Sequence, residues 1–140
     1  MVDRTRVLIK LDELAGYLKE LKSIAPQSIG QYQQTPTKRA CERLLQLCIE
    51  CAIDICKKLV IGNRLGVPKD EVDVFEKLKQ ANILSAQMLV ILKQMRALRN
   101  VLVHEYADID DARVFEVITR RLGDFEQFYK EILAHLNHKI

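Results

Sequence analysis

Tryptophan is absent from this 140-residue chain, and it has only five glycines and three prolines. A chain of strands would need turn residues at short, regular intervals, and here they cluster in only two places, Pro26 to Gly30 and Gly62 to Pro68. An all-β or α/β fold therefore has little support, and the abundant Leu, Ile, Lys and Glu favour helices. A long uncharged run is missing too, so no segment is predicted to cross a bilayer. The N-terminal stretch MVDRTRVLIKLDEL mixes acidic residues into its apolar positions and resembles neither a signal nor a transit peptide, which predicts a cytoplasmic protein. Charge of one sign is also lacking. Twenty-two Lys and Arg against nineteen Asp and Glu leave a formal charge of +3, compatible with an RNA ligand without pointing to one.

What is present is a length suited to one domain, residues 1–140, with 49% hydrophobic residues to build its core. Residues from Val2 to Ser23 place Leu8, Leu11, Leu14, Leu18 and Leu21 at the spacing of an amphipathic helix. A connector from Ile24 to Gln34 follows, and Thr35-Pro36 offers an N-cap and a first-turn proline for a second helix running to Ile61. That helix is apolar around most of its circumference, with a narrow polar strip of Arg39, Arg43, Glu50, Asp54 and Lys57, so it must be covered on more than one side. A short third helix begins near Asp70 with Val74, Phe75 and Leu78 inward. A fourth spans Asn82 to His104, and Asp110 caps a last one from Asp111 to His138. The expectation is an all-α antiparallel bundle of four or five helices.

Cys41, Cys48, Cys51 and Cys56 all lie in the second helix and share its apolar face at about 100° per residue. Cys48 and Cys51 form a CxxC pair, but zinc requires further ligands in reach. Reduced, buried thiols are expected, with no metal site. A thiol-based metal or redox sensor is the alternative function these residues raise.

The fourth helix carries the candidate chemistry. Leu84, Met88, Ile91, Met95, Leu98 and Leu102 repeat at alternating spacings of four and three and form its core stripe. Opposite Leu102 lie Asn100 and His104, with Lys93 and Arg96 on the same outward side. Arg99 stands about 140° from His104 on a regular helix, so the two converge through the length of Arg99, through unwinding after Val103, or across a two-fold axis. Leu89, Leu92 and Val103 are also predicted on the outward side, where a second copy of the chain would cover them. The expectation is a homodimer with a composite cleft. An imidazole beside a guanidinium and an amide suits phosphodiester cleavage, because His moves a proton while Arg stabilises charge on the phosphate. RNA brings its own nucleophile, the 2′-hydroxyl, so no cofactor is required. The structural alternative is a helix-end histidine beside solvated basic residues.

The segment Arg99-Asn100-Val101-Leu102-Val103-His104-Glu105-Tyr106 resembles the signature of the HepT toxins of the HEPN superfamily, an Arg, a four-residue gap, then His-x-Tyr. The helix from Cys51 to Val60, the turn Gly66-Val67-Pro68, the segment Phe75-Glu76-Lys77-Leu78 and the cap Asp108-Ile109-Asp110 are similar to that family in the same order. The resemblance implies a HEPN-type bundle and a homodimeric, metal-independent endoribonuclease toxin. Its partner would be a minimal nucleotidyltransferase antitoxin of the MntA type, with higher assemblies of toxin and antitoxin allowed. Arg99 and His104 would form the active site, with Asn100 as the polar residue after the arginine. Tyr106 would accept AMP from the antitoxin, placing negative charge and bulk two residues from His104. Asp54 matches the family's acidic position in the second helix and would hold Arg99 or another basic residue, or else pair with Lys57 or Lys58; Arg96 is a further supporting residue. His135 and His138 are expected in solvent. A non-catalytic HEPN adaptor, binding the nucleotidyltransferase or nucleotides through the same cleft, is the competing reading.

Overall fold

A computed structural model describes residues 3–104 and 108–138. Among these, the chain forms seven helical segments in the order α1 (Arg4–Ile24), α2 (Ile29–Tyr32), α3 (Thr35–Gly62), α4 (Glu71–Gln80), α5 (Ala86–Val103), α6 (Asp111–Arg120) and α7 (Gly123–Asn137). The described residues contain no strand. None of their helices is long and apolar enough to cross a membrane.

The axis of the bundle is α3. At 28 residues it is about 42 Å long at 1.5 Å per residue. Every other helix touches it. That enclosure follows from its composition, since it buries Cys41, Leu45, Cys48, Ile49, Cys51, Ala52, Ile53, Ile55, Cys56, Leu59 and Val60 around more than half its circumference. Its most extensive neighbour is α1, which contributes Val7, Leu11, Leu14, Leu18 and Leu21. No polar or charged residue is fully buried among the described ones, so this core is held by apolar burial alone.

Several helix boundaries differ from those read in the sequence, each for a local reason. The cap position of α3 is Gln34, which makes no side-chain cap; Thr35 and Pro36 instead open the helix, where a proline's missing N–H costs nothing. The expected connector contains the single-turn α2, capped by the Ser28 hydroxyl, and Tyr32 at its end is fully buried. The fourth helix begins at Ala86 and not at Asn82, because Asn82 takes a left-handed conformation (φ 60°) that no helical residue can hold. Ser85 supplies the cap, its Oγ accepting from Met88 N–H at 3.0 Å. The expected final helix is broken at Arg121-Leu122 into α6 and α7. Gly123 weakens helix continuation there by about 1 kcal/mol. The break lets Val114 and Ile118 of α6 and Phe125, Phe128 and Ile132 of α7 all face the core.

Three elements determine where α5 lies. At its start, Ser85 N–H and Oγ–H both donate to the Glu131 carboxylate of α7, at 2.8 and 3.1 Å. Along its length it packs on α3, α4 and α7. This wide cover corrects one sequence expectation: Leu92, placed on the outward side, is fully buried, while Leu102, placed at the centre of the core stripe, is only half-buried.

Candidate active site

The C-terminal end of α5 carries Arg99, Asn100 and His104, and Arg99 reaches Glu71 at the start of α4. The turn Gly66-Val67-Pro68 returns the chain from α3 to α4, and Gly66 adopts a left-handed φ of +96° that a side chain would strain. Asp70 then caps α4, its carboxylate accepting from Asp73 N–H at 2.8 Å. The first residue of that helix is Glu71. Phe75 and Leu78, both fully buried, fix the helix against the core and so fix the direction in which Glu71 points.

Glu71 gathers three cations. Its Oε1 accepts from Arg99 Nη2, and from Arg96 Nε at 3.0 Å, while its Oε2 pairs with Lys57 Nζ at 3.2 Å. The side chains of Arg99 and Glu71 are only 14% and 21% exposed, against 47% for Lys57, so the Arg99 pair is the less screened of the two. Burial pushes the Glu71 carboxyl upward, but the hydrogen bond from Lys57, the charges of Arg99 and Lys57 and the hydrogen bond from Arg96 together outweigh it. The net result is a carboxyl held below its ordinary value.

Arg99 has a second acceptor, since its Nε–H donates to the Asn100 side-chain oxygen at 2.9 Å. Asn100 itself is exposed. His104 is the C-cap of α5, with extended backbone angles (φ −80°, ψ 118°), and its N–H reaches back to the Val101 carbonyl at 3.3 Å. The helix thus ends at His104, releasing its exposed imidazole from the separation of about 140° from Arg99 that a continuous helix would impose. Unwinding after Val103, one of the three routes to convergence, is therefore present. Val90, Val101 and Val103 are also exposed on α5, at 54, 38 and 48%.

The remaining sequence candidates separate. Arg96 joins the cluster through Glu71. Asp54 does not: among the described residues it pairs with Lys10 of α1 and Lys58 of its own helix, both at 3.5 Å. Tyr106 lies outside the described residues. His135 and His138 line a groove with Ser85 and Glu131, at the opposite end of α5 from His104, roughly 27 Å away along an 18-residue helix. Of the two, His138 is exposed and His135 is half-buried.

All four cysteines are free and buried. Burial, with a smaller contribution from Cys51, pushes the Cys48 thiol up to about 12, and burial raises Cys56 as well. Such thiols are poor ligands and poor nucleophiles, and the thiol-sensor reading loses its support. Among the described residues no group of three or more His, Cys, Asp or Glu is arranged to hold a metal ion.

Glu71 and Lys57 are not marked as site residues by the sequence. Glu71 reads locally as an acidic first-turn residue that favours the helix dipole, and nothing in its spacing announces a partner 28 positions away. The signal that was available is the crowding of Arg96 and Arg99 on one helix without an acidic residue at i±3 or i±4, which calls for a counter-charge from another element.

The sequence matches the family described as "Ribonuclease HepT-like" over residues 14–132. It is 38% identical over 90 residues to the mRNA nuclease HepT of Shewanella oneidensis, spanning 64% of this chain and 68% of that protein. It is 30% identical over 128 residues to the tRNA nuclease HepT of Aphanizomenon flos-aquae, spanning 91% and 87%. Among solved structures it resembles a tri-AMPylated HEPN toxin of Shewanella oneidensis in complex with an MNT antitoxin, with a TM-score of 0.85, 29% identity and coverage of 91% of this chain and 96% of that one. With the family matched over residues 14–132 and the helical frame matched along nearly the whole chain, this protein belongs to the HepT-like ribonuclease family.

Proposed function

We propose that this protein is the endoribonuclease toxin of a toxin–antitoxin pair, cleaving RNA at a site formed by Arg99, Asn100 and His104 and neutralised by a nucleotidyltransferase antitoxin. The observation that carries the reading is the anchored guanidinium of Arg99, held on one edge by Asn100 and Glu71, on the helix that ends at the exposed His104. The relatives of known activity are nucleases of mRNA and of tRNA, which supports RNA as the substrate class.

In this mechanism the 2′-hydroxyl of the substrate attacks the adjacent phosphorus and the 5′-oxygen leaves. His104 transfers a proton at one of these two oxygens. Arg99 spreads its charge over the non-bridging phosphate oxygens as negative charge builds there, and Asn100 fixes the rotation of the guanidinium. All the reacting groups come from the chain and the RNA.

Two copies of the chain would complete the cleft. Val90 and Val101 lie about 20° apart around the helix that carries Arg99 and His104 and leave apolar surface there, and an isologous contact across it would cover them and bring two sets of site residues together. Control by AMP transfer to Tyr106 is supported by the modified state of the structural relative and its complex with an MNT antitoxin. The protein would act in the cytoplasm, where its RNA substrates are.

The test is cleavage of total cellular RNA by purified protein in EDTA, comparing wild type, His104→Ala and a Tyr106-adenylylated form. Wild type should cleave. Loss of the proton-transfer group should slow cleavage by about 100-fold or more, and adenylylation should abolish it. Normal cleavage by His104→Ala would overturn the assigned mechanism, and inactivity of folded wild type would favour a non-catalytic adaptor.

A further inference from the structure

The cluster around Glu71 contains more positive charge than the cleavage step uses. Lys57 from α3 and Arg96 and Arg99 from α5 share one carboxylate, so three cations against one anion leave two positive charges beside the site. A structural ion pair would not need the excess. The arrangement also leaves Arg99 half committed. A guanidinium carries five N–H donors in one plane. Here the Nε–H goes to Asn100 and an Nη2–H to Glu71, which leaves both Nη1 donors and the second Nη2 donor for an incoming phosphate. Lys57, at 47% exposure, and Arg96, at 31%, remain open to solvent on the same carboxylate.

We propose that Glu71 is a positioning residue that aims Arg99 at the scissile phosphate, and that Lys57 and Arg96, gathered by the same carboxylate, take the neighbouring phosphate of the RNA backbone. The first half rests on the nuclease reading for the role of Arg99; the second rests only on the cation cluster. The chemistry is that of a clamp. An unanchored arginine of this length samples many rotamers, and ordering it during the reaction would cost free energy that Glu71 has already removed. A carboxylate shared by three cations also brings them within a few ångströms of one another, a spacing their mutual repulsion would otherwise oppose. A second phosphate held there fixes the register of the RNA without reading its bases.

The experiment uses the full-length protein and three measurements: the Arg99 Nε–H signal by NMR, binding of a 2′-O-methyl RNA oligomer across a salt series, and cleavage of the matching unmodified RNA. In Glu71→Gln the Arg99 signal should lose its order and kcat should fall about tenfold or more. In Lys57→Gln and Arg96→Gln, binding should weaken and the salt slope should drop by roughly 0.7 for each single-strand phosphate that is no longer neutralised. Lys19→Gln, an exposed lysine on α1, should leave all three readouts unchanged. An Arg99 signal that stays ordered in Glu71→Gln overturns the positioning role. Faster cleavage by that variant would instead show Glu71 to be occupying the phosphate seat, and would overturn it too. Unchanged salt slopes in both cation variants would remove the second phosphate site. If wild type proves unable to cleave RNA, the nuclease reading falls, while the NMR signal and salt slopes still decide the cluster.

Discussion

The interface of α1 with α3 and the junction of α4 with α5 lie in one small bundle but are built from opposite materials. The first joins Leu11, Leu14, Leu18 and Leu21 to residues such as Leu45, Cys48, Ile49 and Leu59, all buried. The second places three cationic side chains around one half-buried carboxylate. Apolar burial is non-directional and scales with area, so the first interface tolerates many sequences provided volume is kept. A fork of N–H donors on a carboxylate depends on direction, so the second tolerates few. Substitutions in the two regions should therefore fail differently, one through folding and the other through chemistry.

The largest expected effect is on the apolar side. Leu11→Ala removes a fully buried side chain and should lower stability by about 3 kcal/mol, read as a reduced urea midpoint with an unchanged m-value. The rate of RNA cleavage per folded molecule should not change. A loss of cleavage without a loss of stability would break the separation between the two regions.

Next comes Arg99→Lys, which keeps the charge and discards the fork. An ammonium cannot serve Asn100, Glu71 and a phosphate in one plane, so cleavage should fall by roughly 100-fold. Stability should change by no more than about 1 kcal/mol, since an ion pair this close to the surface contributes little to folding. Full activity with lysine would show that charge alone suffices, and would remove the geometric half of the comparison.

The same contrast explains which parts were legible in the sequence. The leucines of α1 and the stripe Met88, Ile91, Met95 and Leu98 of α5 repeat at helical spacing, and all of these from Leu11 onward are buried as the period predicts. Periodicity is a local property that survives without knowledge of the fold. It failed at Leu92, whose burial depends on how many neighbours α5 has, and at Arg121-Leu122, where one helix became two. Arg99, Asn100 and His104 could be put forward from the sequence because their signature lies within one short, continuous stretch of chain. Glu71 could not, because its role is a relation between three helices. Asp54 lies on α3 only three residues before Lys57, yet the geometry sends one to Lys10 and the other to Glu71.

The smallest expected effect is a pH dependence confined to the charged region. Because the Glu71 carboxyl is depressed in the folded state, it binds its proton more weakly there than in the unfolded chain. The sign follows directly: its stabilising contribution is complete above the ordinary carboxyl value of 4.5 and is lost as pH falls through the depressed folded value. Urea midpoints of wild type and Glu71→Gln should differ by a constant amount at neutral pH and converge below about pH 4.5, whereas the deficit of Leu11→Ala should persist across the same range because no titrating group contacts it through charge. Taking the difference between variants cancels the other exposed carboxylates, such as Glu126, whose pairing with Lys22 also depresses it. High salt should shrink the Glu71 difference in part and leave that of Leu11 intact, since the partly desolvated Arg99 pair is screened less than a surface pair and burial of leucine is not screened at all. A Glu71→Gln difference that stays constant down to about pH 3, well below the ordinary carboxyl value, would mean that the carboxylate acts through shape and not charge, and the two regions would then differ only in polarity.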